Sequence, residues 1–147
     1  MHAVAEILKD KGRDVLEIDA GATVIEAVQR MVERNVGSLL VRDGPAIAGI
    51  VTERDYLRHA AARGSDTTAV RELMSSPLVV ATPETPIDEC MAIMTDRRIR
   101  HLPVVDEDGE VVGVVSIGDL VKFTSRLQSF ELKYLTEFIS AGTARTP

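Results

Sequence analysis

Apolar residues recur along the 147-residue chain in two spacings, every third or fourth position in some stretches and short unbroken runs in others. Val24, Ala27, Val28, Met31 and Val32 stand at i, i+3, i+4, i+7 and i+8, the stripe of an amphipathic helix. Ile87, Cys90, Met91 and Met94 repeat it. After each stripe comes a Val/Leu-rich run, Leu39 to Val41 or Leu102 to Val105, and then a second one, Ile47 to Val51 or Val111 to Val115. The runs are separated by Asp43-Gly44-Pro45 and Asp106-Glu107-Asp108-Gly109, so each pair predicts a β-hairpin.

The two series are one unit written twice. Sliding residues 15–43 by 63 positions onto 78–106 pairs Met31 with Met94, Arg34 with Arg97, Leu39 with Leu102, Val41 with Val104 and Asp43 with Asp106. One extra residue in the second turn, where a length change costs little, then aligns Gly49 with Gly113, Val51 with Val115 and Asp55 with Asp119. Each copy reads as β-α-β-β-α, which predicts a mixed α/β (α+β) fold of two repeats packed with pseudo-twofold symmetry, flanked by N- and C-terminal helices. The expected segments are a docking helix within 1–14, repeat one at 15–60, a linker at 61–77, repeat two at 78–123, and a C-terminal helix and tail at 124–147. In the linker, Arg63-Gly64-Ser65-Asp66 signals a helix stop and Val70 to Met74 a helical turn. Leu127, Phe130, Tyr134, Leu135, Phe138 and Ile139 form a C-terminal stripe that covers the protein's own core or a dimer contact.

Composition narrows the function classes. With 45% apolar but only 3% aromatic residues, aliphatic side chains must fill the core. A net charge of −6 argues against a broad nucleic-acid footprint, which needs clustered Lys and Arg. The single Cys90 precludes an internal disulfide. No apolar run approaches the ~18 residues of a membrane span, and the first residues lack a signal-peptide pattern, so a cytoplasmic protein is expected.

The sharpest duplicated feature is Gly49-Ile-Val-Thr52-Glu-Arg54-Asp55, matched by Gly113-Val-Val-Ser116-Ile-Gly-Asp119. In each, a buried strand runs into a hydroxyl residue with a carboxylate three positions on. That spacing suits a capping box, in which side chains satisfy orphan backbone N–H groups. It equally suits a ligand site, because a helix start favours phosphate and a carboxylate can accept both hydroxyls of a ribose. The second copy adds Arg97-Arg98-Ile99-Arg100-His101, where Arg98, Arg100 and His101 could clamp phosphate and Arg97 faces solvent. The first copy has Asn35-Val36-Gly37-Ser38 at those places, so the two clefts are expected to be unequal.

With repeats at 15–60 and 78–123, each closing on Gly-x-x-Ser/Thr-x-x-Asp, the chain resembles a tandem pair of cystathionine-beta-synthase-type (CBS) domains. The resemblance implies a regulatory module whose clefts bind adenosine-containing ligands: AMP first, with ATP, ADP, NAD or S-adenosylmethionine also in the set. It implies ribose contacts from Asp55 and Asp119, phosphate or ribose contacts from Thr52 and Ser116, and adenine contacts from Val24 and Ile87. Arg54, inside the first motif, joins these candidates. It also implies a homodimer and a separate effector protein. No metal is expected: His2, His59 and His101 are scattered, and neither a nucleophile–base pair nor a glycine-rich phosphate loop is present, so the chain reads as a non-enzyme. The competing reading is a ligand-free dimeric scaffold in which the two aspartates only cap helices.

Overall fold

The computed structural model describes residues 2–12 and 14–143, and side chains as far as Lys133 apart from Phe130 and Leu132. Most of the expected C-terminal stripe, from Phe130 through Ile139, therefore lies outside the described side chains.

Repeat one contains β1 (Glu17–Asp19), α2 (Val24–Arg34), β2 (Ser38–Asp43), β3 (Ala46–Thr52) and α3 (Glu53–Ala61), preceded by α1 (Val4–Lys11). Repeat two contains α4 (Ile87–Arg97), β4 (His101–Val105), β5 (Val111–Ser116) and α5 (Ile117–Thr143). Helix α2 opens on a capping box between Thr23 and Glu26 and stops at Asn35, whose left-handed φ of 53° suits an Asn. Val24, Ala27 and Met31 are buried along it, as Ile87, Cys90 and Met94 are along α4. Val32 departs from the expected stripe: it lies at the edge of the apolar arc and is 75% exposed.

Both hairpins form, and each has a register shift at the same repeat position, Val41/Arg42 and Val104/Val105. The first strand differs between the copies. Parallel pairing of β1 with β2 uses Leu40 N–H to the Leu16 carbonyl (3.0 Å) and Ala20 N–H to the Arg42 carbonyl (2.8 Å). The equivalent donors in repeat two would be residues 103 and 83, both proline and without an N–H. Only the middle bonds survive there, Ala81 N–H to the Pro103 carbonyl and Val105 N–H to the Ala81 carbonyl, each 2.9 Å. The expected strand is reduced to the single bridge Ala81–Val104.

Two separate hydrophobic clusters form, and each is completed by a segment from outside its repeat. Val4, Ile7 and Leu8 of α1 pack into the cluster of repeat two, beside Leu102, Val104, Val115 and Leu120. Val70, with Leu73 and Met74, packs into the cluster of repeat one beside Leu39, Val41 and Val51. The correspondence is close. Val4 N–H binds the Thr85 carbonyl and Val70 N–H the Ala22 carbonyl, while Leu8 lies against Gly113 and Met74 against Gly49. The N-terminal helix thus completes the second repeat and the linker, ordered through the 3-10 turn Val70–Glu72, completes the first.

The second helices of the repeats end differently. Helix α3 stops after Ala61, with Arg63 at a φ of 58° just before Gly64. Helix α5 continues to Thr143 without the expected break near residue 123, because no Gly or Pro interrupts the hydrogen-bond ladder between Gly118 and Gly142.

Candidate functional site

Both duplicated motifs form capping boxes. Thr52 N–H donates to Asp55 Oδ2 (2.8 Å), and Asp55 N–H to Thr52 Oγ1 (3.3 Å). Ser116 N–H donates to Asp119 Oδ2 (2.8 Å), and Asp119 N–H to Ser116 Oγ (3.1 Å). The next amide in each motif is also used, Glu53 N–H by the Gly37 carbonyl and Ile117 N–H by the Arg100 carbonyl. These amides are therefore committed within the chain.

Charged side chains converge from both repeats. A cleft of about 340 Å³, within the size range of small-molecule sites, is lined by Thr52, Arg54 and Asp55 from the start of α3 and by Arg98, Arg100 and His101 between α4 and β4. Ile50, Leu78, Val79, Ile99 and Pro103 supply its apolar wall. The carboxylate of one repeat thus faces the basic cluster of the other, an arrangement that sequence spacing does not reveal. Arg54, Arg58, Arg98 and Arg100 against Glu53 and Asp55 give the cleft a positive local balance in a chain whose net charge is −6. Arg98 terminates α4 at a φ of 55°, where repeat one uses Asn35. Holding a non-glycine residue there costs on the order of 1 kcal/mol, and it points the chain's turn at the cleft.

His101 is half-buried on the cleft wall, and its Nδ1 has no hydrogen-bond partner. Burial pushes its pKa down, opposed by Glu53 and Asp119 and assisted by Lys11 and Arg100. The neutral imidazole is favoured, with Nδ1 closed off from solvent.

Ser116 and Asp119 do not line this cleft. Asp119 Oδ2 instead receives Lys11 Nζ at 2.6 Å, and the same ammonium donates to the Val114 carbonyl at 2.7 Å. Burial raises the Asp119 pKa, but the bonds from Lys11 and Ser116 outweigh it and hold the carboxyl below its ordinary value. Val24 and Ile87, expected beside an adenine, are core residues at 1% and 4% exposure. Their N–H groups are spent on the Thr68 and His2 carbonyls, which tie each helix start to the docked outside segment.

The CBS domain profile matches this chain twice, at residues 4–62 and 70–126. The chain belongs to the CBS-domain family. "CBS domain-containing protein CBSX3, mitochondrial" from Arabidopsis thaliana is 39% identical over 150 residues, spanning 95% of this chain and 72% of that protein. Among solved structures, a putative signal-transduction protein with CBS domains from Burkholderia ambifaria is 45% identical with a TM-score of 0.80, over 84% of this chain and 93% of that one. A CBS domain protein from Pyrobaculum aerophilum complexed with AMP is 28% identical with a TM-score of 0.72, over 80% and 89% of the two chains.

In this CBS pair, sequence reasoning missed three groups of residues around the candidate positions. Pro77, Leu78 and Val79 carry an apolar signal, but nothing in it says that they wall a cleft closed by the other repeat. Glu53 and Arg58 are charges on an ordinary helix. Lys11 lies outside the duplicated segment, and only the fold brings it to Asp119. Among the described residues, no group of His, Cys, Asp or Glu side chains is arranged to hold a metal, and no helix is long and apolar enough to cross a membrane.

Proposed function

We propose that this chain is a regulatory sensor that binds an adenosine nucleotide, AMP in the first instance, in the cleft between its repeats. The observation that carries this reading is the meeting of Asp55 with Arg98, Arg100 and His101 across a single cleft. Asp55 accepts the ribose hydroxyls with its outward oxygen while its other oxygen remains in the helix cap. Arg98 and Arg100 hold phosphate, assisted by Arg54 and by a hydrogen bond at His101, and Ile50, Val79 and Ile99 flank the base. The AMP complex of the Pyrobaculum relative supports this choice of ligand. ATP, NAD and S-adenosylmethionine share the adenosine portion and belong to the same reading. So do a homodimer, an effector protein that receives the signal and a cytoplasmic location, although the Arabidopsis relative is named mitochondrial.

A ligand can shift a conformational equilibrium only through its difference in affinity for the two states. The cleft is built from both repeats, so an occupant bridging Asp55 and Arg100 changes how strongly they are held together.

A thermal-shift screen with AMP, ATP, NAD and S-adenosylmethionine tests the reading. Ligand at about 100 times its dissociation constant adds about 2.7 kcal/mol, several degrees for a chain this size, and Arg100→Ala removes most of the gain. The capping boxes, complete without any ligand, favour the scaffold reading as the alternative. A flat response to all four compounds would establish it.

A further inference from the structure

The segments that precede the two repeats correspond residue by residue. Ala3, Val4, Glu6 and Leu8 match Ala69, Val70, Glu72 and Met74, and each segment docks on the opposite cluster. They diverge after Leu8 and Met74. Beyond Met74 the chain turns extended, and Ser75 pairs with β3 by its N–H to the Ile50 carbonyl (2.8 Å) and its carbonyl to the Ile50 N–H (3.1 Å). Beyond Leu8 the chain stays helical to Lys11, and among the described residues no backbone donor reaches the equivalent carbonyl, that of Val114. Lys11 Nζ takes that place and at the same time binds Asp119 Oδ2.

Asp55 and Asp119 are equivalent by sequence and by cap geometry, yet their surroundings differ. Asp55 lines the open cleft, whereas Asp119, 22% exposed, carries an internal ammonium on the same Oδ2 that closes its helix cap. The residues of repeat one that correspond to Arg98, Arg100 and His101 are Asn35, Gly37 and Ser38, none of which carries a positive charge. A second nucleotide would find its ribose acceptor already neutralised and no cationic seat for its phosphate.

We infer that Lys11 is a built-in cation plug on the second repeat's ribose-type carboxylate, making the chain a single-site binder whose dormant second site is released by removing that side chain. The inference rests on the nucleotide reading above. Lys11 is still 41% exposed, so the plug sits at the surface and can be removed without opening the core.

The test is the stoichiometry of AMP binding by calorimetry on the wild-type chain and its variants. Wild type is expected to bind one AMP, and Asp55→Asn to hold it about 10- to 100-fold more weakly. Lys11→Met is expected to bind a second AMP, weaker than the first because Asn35, Gly37 and Ser38 bring no cation to it, and Lys11→Met/Asp55→Asn to keep that second site, which Asp119→Asn then abolishes. The gain of a site in the double variant over Asp55→Asn supports the plug whatever the first cleft does, and its absence overturns it. Wild type binding two, or Lys11→Met losing a site, also overturns it, since Lys11 would then be a ligand contact. Wild type and Lys11→Met/Asp55→Asn each showing no AMP defeats the nucleotide reading and the plug together, whereas no AMP in wild type with a site in the double variant defeats the first alone. Lys11→Gln keeps a donor near Val114 while removing the charge, and gives the same stoichiometries should Lys11→Met fail to fold.

Discussion

Repeat one and repeat two carry the same motif in the same helix cap, but their aspartates have different surroundings. Asp55 opens onto a cleft whose far wall is basic, and Asp119 is bonded to Lys11. Part of the difference lies within the repeats, where Asn35, Gly37 and Ser38 are the counterparts of Arg98, Arg100 and His101. The rest comes from the segments that dock on them: an extended Ser75 beside β3 in one case and one more helical turn ending at Lys11 in the other. Changes both inside and outside the duplicated core thus give two equivalent aspartates different surroundings.

The same contrast is visible in the paired glycines, which give the larger of two stability tests. A Cβ at Gly49 would lie 2.6 Å from the carbonyl oxygen of Ser75, a residue whose backbone is held to Ile50 by two hydrogen bonds, whereas one at Gly113 would meet Leu8 Cδ2, the end of a flexible side chain. Gly49→Ala should therefore cost about 1–3 kcal/mol by overpacking, and Gly113→Ala clearly less. Urea denaturation of both variants checks this, and equal costs would mean that the two docked segments hold their repeats alike.

A smaller effect concerns the basic edge that only repeat two possesses. The folded-state pKa of His101 lies below its ordinary 6.5, so the unfolded chain takes up the proton first. Its contribution to stability is complete above about pH 6.5 and is lost as the pH falls below that value. Urea midpoints across this range should decline on acidification, and His101→Gln should flatten the decline. An unchanged slope in the variant would assign the acid sensitivity to other groups.

The repeat, its hairpins and the composition of the basic cluster were legible from spacing alone, because strands and amphipathic helices impose periods of about 2 and 3.6 on the apolar positions. The partner of each site residue was not. Asp55 lies close in sequence to Asn35–Ser38, yet the cleft joins it to Arg98–His101, a choice made by how the repeats face each other. The upstream correspondence was written in the sequence as Ala-Val-x-Glu at 3–6 and 69–72, but at an offset of 66 rather than 63, so a single sliding comparison passes over it. The weakened first strand of repeat two could have been foreseen from Pro83 and Pro103 once the parallel register was known. Val24 and Ile87, expected beside an adenine, are buried at helix starts that the docked outside segments cover, which spacing alone does not reveal.

The central claim is that one cleft is built from Asp55 of the first repeat and the basic edge of the second. The most direct measurement is AMP affinity by titration calorimetry for wild type, Asp55→Asn and Asp119→Asn. A hydrogen bond to a charged group contributes about 1.5–3 kcal/mol, so Asp55→Asn should weaken binding by roughly 10- to 100-fold while Asp119→Asn leaves it nearly unchanged. Equal losses in the two variants, or loss in Asp119→Asn alone, would contradict the account.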